Sequence, residues 1–380
     1  MAMTLTGMTI TGGMGLPKEL VQTAVYAWGY NNNGQLGINT IFSRSSPVLL
    51  GAASSAWVNI MGGSSSMSGG VKADGTMWIW GLGAPGLGLN DNISRSSPVQ
   101  IGSLTTWSSV RLVSTDSIAV KTDGTLWAWG SNSSGQLGLN NTTTVSSPIQ
   151  VGISTNWTSK LAGFVHAGQN SFAIDSTGRL YAWGPNNTGQ LGLNDAITRS
   201  SPTQVGTGTN WSQIFGGDAA MAIRTDGTLW TWSGGPNGEL GLNIASAYRS
   251  SPTQVGALTD WLNCISAPVS GGGQLILKSN GTLWAWGDNR QGQLGDGTAI
   301  SRSSPIQLGS LNTWTNVGSS VVGGFATKSD GTLWSWGQNF NGTIGDSTSA
   351  PRSSPVQIGS AIWANSLFGS GYQIYVAPSA

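Results

Sequence analysis

Few side chains in this sequence are equipped for chemistry, and their spacing says what each could do. Of 380 residues, one is histidine and one is cysteine. A Cys/His zinc site is out of reach, because such sites need several of these ligands together. His166, in "LAGFVHAGQNS", is the one histidine that could act as a base for a serine. A nucleophilic triad needs Ser, His and acid to converge, a convergence that spacing alone does not show. Cys264, in "WLNCIS", reads as a small apolar residue of the core. The 15 carboxylates are scattered, and no Asp-x-Asp-x-Asp run supplies the clustered oxygens of a calcium loop. Gly81, Gly83 and Gly86 match G-x-G-x-x-G by letter. The dinucleotide fingerprint needs a helix to follow, whereas Pro85 and a further loop follow here. We expect no catalytic residue, no metal site and no cofactor.

The arginines form a pattern. Arg44, Arg95, Arg199, Arg249, Arg302 and Arg352 each precede Ser-Ser-Pro, with Val145 in the remaining copy. They could line an anion-binding ring. The favoured reading is structural: each bonds loop carbonyls or a carboxylate in its own or the next unit. Asp74, Asp123, Asp226 and Asp330 precede glycine and read as turn residues.

These elements belong to a larger repeat. Every one of the 19 tryptophans is a repeat position. A paired phrase such as "TLWAWG" places its second aromatic at Trp28, Trp80, Trp129, Trp183, Trp232, Trp286 and Trp336. Ser-Ser-Pro follows each time, and then a lone tryptophan: Trp57, Trp107, Trp157, Trp211, Trp261, Trp314 or Trp363. A period of about 50 residues marks a repeat array. Runs such as "WSSVRLV", "SIAVKT", "TLWAWG" and "SPIQVG" are short and rich in β-branched and aromatic residues, which is strand composition. Asp-Gly between two of them is a hairpin turn. No stretch has a helical period. Four strands in each of seven copies imply an all-β, seven-bladed β-propeller of antiparallel blades. Residues i and i+2 share one face of a strand, so each W-x-W gives a blade one bulky side and one flatter side.

"LWAWGSNSSGQLGLN" and "LYAWGPNNTGQLGLN", each after a short strand and a D-G or T-G turn, closely resemble the regulator-of-chromosome-condensation repeat. The resemblance covers about residues 20–377. It implies a seven-bladed propeller serving mostly as a binding platform. The sequence departs from the family where the repeat usually carries histidine; Met67, Asp116, Asn170, Ala219, Gly273 and Gly323 stand there. The first copy enters at "VYAWG" and the last ends in "WANSLFGSGYQIYVAPSA". We therefore expect Tyr372–Val376 to pair with Val25–Trp28, closing one blade from both termini and leaving no open edge in it.

Composition bounds the partners. Charged residues are 8% of the chain and net charge is +1, against about 25% charged in an ordinary domain. Without a basic stripe, nucleic-acid binding by phosphate neutralisation is disfavoured. No apolar run reaches the ~18 residues of a membrane span, and the start lacks the basic and apolar regions of a secretion signal. We divide the chain into a leader, 1–19, and a single propeller, 20–380. The leader repeats "MTLTG" and "MTITG". It reads either as an attachment strand using Leu5, Met8 and Ile10 on a partner's sheet edge, or as a disordered start, and it is similar in style to the N-termini of bacteriophage structural proteins. The stretches from lone to paired aromatic are longest at 157–183 and 261–286. Loops on a rigid scaffold commonly carry binding, so Phe164, His166, Gln169, Asn170, Pro268 and Val269 are the candidate partner-binding residues. The functional expectation is a non-enzymatic binding or structural protein on a bacteriophage virion surface, docked by its leader, with a cell-surface protein or glycan as a further partner of the loop face. The alternative is an intracellular, cytoplasmic or secreted, regulatory propeller that binds another protein. An enzyme using the central channel is the third reading.

Overall fold

In the computed structural model, the described residues are 24–51, 56–62, 66–112, 115–161, 170–215, 219–266, 273–320, 323–370 and 373–378. They form an all-β propeller of four-stranded antiparallel blades. β1 (Tyr26–Gly29) and β2 (Arg44–Leu49) open the chain. The next sheet holds β3 (Trp57–Gly62), β4 (Met67–Lys72), β5 (Met77–Gly81) and β6 (Arg95–Gln100). Then come β7 (Trp107–Leu112), β8 (Asp116–Lys121), β9 (Leu126–Gly130) and β10 (Val145–Gln150). A further sheet is β11 (Trp157–Leu161), β12 (Ser171–Asp175), β13 (Leu180–Gly184) and β14 (Arg199–Gln204). It is followed by β15 (Trp211–Phe215), β16 (Ala219–Arg224), β17 (Leu229–Gly235) and β18 (Ala247–Gln254). The last consecutive sheets are β19 (Trp261–Ser266), β20 (Gly273–Lys278), β21 (Leu283–Gly287) and β22 (Arg302–Gln307), then β23 (Trp314–Ser320), β24 (Gly323–Lys328), β25 (Leu333–Gly337) and β26 (Arg352–Gln357). β27 (Trp363–Ser370) and β28 (Gln373–Pro378) join the first two strands in the order β2-β1-β28-β27. There Tyr26 lies opposite Val376 and Gly29 opposite Gln373; Tyr372 is outside the described residues. Gly81, Gly83 and Gly86 lead only into a three-residue 3-10 turn, Pro85–Leu87.

The lone-tryptophan strands pack on one another: β3 on β7, β7 on β11, β11 on β15, β15 on β19, β19 on β23, β23 on β27 and β27 on β3. The bulky-on-flat expectation describes the sheet interfaces. Trp183 of β13 packs in one cluster with Ile118, Leu126, Ala128 and Leu137 of the preceding unit.

The second aromatic of each pair is a key between sheets. All seven are 0–1% exposed. Each indole N–H donates to a carbonyl in the loop of a neighbouring sheet: Trp80 to Gln35, Trp129 to Gly86, Trp183 to Gln136, Trp232 to Gln190, Trp286 to Glu239, Trp336 to Gln293 and Trp28 to Thr343. The closing glycine of the "GQLG" phrase explains itself here. Gly138 has φ +74°, and a Cβ would sit 2.8 Å from Trp183 Nε1. Both the backbone conformation and the close approach of the indole require glycine there.

Candidate functional site

Antiparallel strands put two kinds of segment at one end of every sheet: the first-to-second strand connection and the long "NxxGQLG" loop between third and fourth strands. The other end carries the Asp-Gly turns.

The long loops are braced from inside by a buried asparagine. Asn186 donates through Nδ2 to Asp195 O (3.1 Å), Asp195 Oδ1 (2.8 Å) and Ile197 O (3.2 Å), while its Oδ1 accepts from Leu191 N (2.9 Å). Asn31, Asn132, Asn289 and Asn339 do the same work in their own loops. A side-chain oxygen at the glutamine position then caps the loop tip, as Gln190 Oε1 does for Thr188 N at 2.8 Å. Glu239 takes that place in its copy, accepting from Asn237 N at 2.9 Å. The arginine before Ser-Ser-Pro is the second brace. Arg95 pairs with Asp91 (2.7 Å), Arg199 with Asp195 (2.6 Å), Arg302 with Asp296 (2.9 Å) and Arg352 with Asp346 (2.9 Å). Arg95 and Arg199 also donate to the carbonyls of Ile93 and Ile197. The Ile197 N–H, and then the Arg199 guanidinium, hold the Asp195 carboxyl below the ordinary aspartate range. These four arginines are thus loop braces, and no anion ring is needed to explain them.

The same frame leaves apolar side chains in solvent. Ile93 is 61% exposed, Ile197 62% and Ile300 60%, although their backbones are hydrogen-bonded within the loop. Phe42, Tyr248 and Phe340 are exposed in the corresponding loops of other copies. Scattered apolar residues on a surface are ordinary. Here they recur at one loop position, two residues before the bracing arginine, on hydrogen-bonded backbone.

The turn end is built by related means. Asp123 Oδ1 accepts from the N–H and hydroxyl of Thr125, and that hydroxyl accepts the Trp127 indole N–H at 2.8 Å. These bonds hold the Asp123 carboxyl below its ordinary range. Lys121 Nζ lies 3.6 Å from the Trp127 ring centre and 5.0 Å from that of Trp107. Lys72, Arg224, Lys278 and Lys328 cover equivalent ring pairs.

Of the residues singled out from the sequence, Phe164, His166, Gln169, Pro268 and Val269 lie outside the described residues, as do Leu5, Met8 and Ile10. Asn170 is described, and it is fully buried. Its Nδ2 contacts the Pro185 carbonyl and its Oδ1 has no partner. Its side chain thus bonds the start of the long loop at Pro185 from a buried position. Asp116, at the corresponding position, is also fully buried, with both carboxyl oxygens unpartnered. Burial raises its pKa to about 8. Among the described residues, no group of three or more His, Cys, Asp or Glu side chains could hold a metal ion. The arginine braces match the expectation from sequence, whereas the buried asparagine braces and the cation-covered tryptophans were missed. Asn31, Asn132, Asn186, Asn289 and Asn339 open the same loop phrase, and a Lys or Arg recurs just before the Asp-Gly or Asn-Gly turns. Those two regularities were the available signals.

A propeller with these blade phrases defines a class, and the relatives agree on it. A family model for the regulator of chromosome condensation (RCC1) repeat matches residues 24–66, 123–170, 177–222 and 280–323. Those four stretches match repeats of this family. The ultraviolet-B receptor UVR8 of Arabidopsis thaliana is 28% identical over 186 residues, 48% of this chain and 41% of that protein. The match thus spans less than half of that relative. Human WBSCR16 superimposes with a TM-score of 0.79 at 19% identity, covering 94% of this chain and 99% of that one. Yeast RCC1 (Prp20), in a structure bound to Kap60, gives 0.81 at 16% identity, covering 100% and 96%. At such identities the likeness is one of fold.

Proposed function

We propose that the chain is a non-enzymatic protein-binding propeller, closed as a seven-bladed ring, whose loop face is the recognition surface. The observation that carries the reading is the set of exposed Ile93, Ile197 and Ile300 side chains on loops locked by Arg–Asp pairs, with buried Asn186 and Asn289 adding to the lock at Ile197 and Ile300. A pre-organised surface loses little freedom on binding. Closure is supported by the β1–β28 pairing and by the Trp28 indole N–H donating to Thr343 O, the same bond made between other neighbouring sheets. Within this reading the propeller sits on a bacteriophage virion surface and residues 1–19 tether it there. Support comes from the doubled "MTLTG/MTITG" phrase and a surface poor in charge.

The test is capture from source particles or cells by the full chain and by a version lacking 1–19, with retained proteins identified by mass spectrometry. We expect the assembly partner to depart with the leader and any loop-face partner to stay. Absence of the protein from purified particles would overturn the virion placement. A second reading, a cytoplasmic regulatory propeller, draws on the solved relatives: one structure is of yeast RCC1 bound to Kap60, and another is of Prp20p from Saccharomyces cerevisiae, a protein with binding properties to Gsp1p and histones. On that reading one partner is retained whether or not the leader is present.

A further inference from the structure

Two equivalent crevices, each about 470 Å³, open beside neighbouring sheets. The first is lined by Trp211, Arg224, Trp230, Thr207, Asn194 and Ser251, among others. The second has Trp261, Trp284 and Ser304 at corresponding places, but its cation, Lys278, does not line it. The reason is one residue. Lys278 is nearly buried and its Nζ lies 3.3 Å from Asp260 Oδ1. In the first crevice the corresponding residue is Asn210. The backbones match: Asn210 O accepts from Thr225 N, as Asp260 O does from Ser279 N. The carboxylate is simply missing.

Among the described residues, half-buried Arg224 makes no ion pair. Its guanidinium stacks 3.9 Å from the Trp230 ring centre and 4.5 Å from that of Trp211. Its Nε has no hydrogen-bond partner. Asp226 feels the Arg224 charge, but its Oδ1 is taken by Thr228. A planar guanidinium held flat against indoles keeps its N–H edges for a planar acceptor, and carboxylate is the matching group. The indoles and Pro252 supply an apolar wall beside it. We propose that this crevice binds a carboxylate-bearing ligand, its acid group on Arg224 and its body against Trp230. Its wall also includes Gly192, Leu193 and Asn194 of the long loop.

Calorimetric titration of the full chain tests this with two acids, glucuronate and N-acetylglutamate amide, and their neutral counterparts, methyl glucoside and N-acetylglutamine amide. At least one acid should bind, and its neutral counterpart should bind about 10- to 100-fold more weakly, the worth of a charged hydrogen bond. Preference for glucuronate names a sugar acid as the source. Preference for the glutamate derivative names an acidic peptide side chain. Arg224→Gln should abolish binding. Asn210→Asp keeps Arg224 and should cut affinity by a similar factor, by installing the carboxylate that the neighbouring crevice already has. Neither acid binding at millimolar concentration, equal binding of acid and neutral probe, or unchanged affinity in Asn210→Asp would each overturn the proposal.

Discussion

The two ends of a sheet use the same device and leave different surfaces. At the turn end, Asp123 folds the backbone, Thr125 relays the bond to Trp127, and Lys121 covers the ring. Within that turn the polar and aromatic groups satisfy one another. At the loop end, Asn186 and the Arg199–Asp195 pair fold the backbone just as firmly, yet Ile197 stands in water. Both ends are rigid, so rigidity alone does not mark the recognition surface. What differs is where the apolar side chains sit: at the loop end they ride on the braced loop itself, whereas at the turn end Leu104, Ile153, Leu258, Leu311 and Ile362 are exposed on the connections beside the Asp-Gly turns.

Substitutions can break or sharpen that contrast. The largest effect is expected from Asn186→Ala, which strands buried carbonyls and the Leu191 N–H. It should cost about 3 kcal/mol in chemical denaturation; a loss below about 0.5 kcal/mol would mean that packing, not the amide, holds the loop. Asp116→Asn comes next and is dependent on pH. The folded carboxyl, with a pKa near 8, stays protonated after the unfolded one has ionised. Native stability is therefore undiminished below the ordinary aspartate pKa and falls as pH rises toward 8. The variant should match wild type in acid and melt higher at pH 8. Equal melting at both pH values would place the carboxyl in contact with water. Lys121→Gln removes the cation over Trp107 and Trp127 and should cost about 0.5–1 kcal/mol, read by thermal melting together with a change in tryptophan fluorescence. Smallest for stability is Ile197→Ser, expected within about 0.5 kcal/mol of wild type because the side chain touches solvent. A larger loss would show that Ile197 is part of the packing and not a presented group.

Much of the fold was legible because it is periodic. W-x-W, Ser-Ser-Pro and Asp-Gly fix strand order within a unit, and residues two apart on a strand must share a face. The pairing of β28 with β1 followed from counting which strands the first unit lacks. The site was less legible, for a physical reason. Asn186 earns its role through contacts inside a folded loop, and Trp183 through a carbonyl of another sheet, so neither bond exists as local sequence pattern. Asn170 looked like a loop residue by composition, but its side chain is buried. Arg224 and Lys278 are interchangeable to a repeat search. Only the neighbouring Asn210 or Asp260 separates a neutralised cation from an open one.

The most direct test is a chain in which Ile93, Ile197 and Ile300 are all replaced by serine, compared with wild type for binding of the partner that stays with the leaderless propeller. The account predicts an unchanged melting temperature and loss of that partner. A variant that melts as wild type and still holds the partner at wild-type affinity would contradict the assignment of the loop face as the recognition surface.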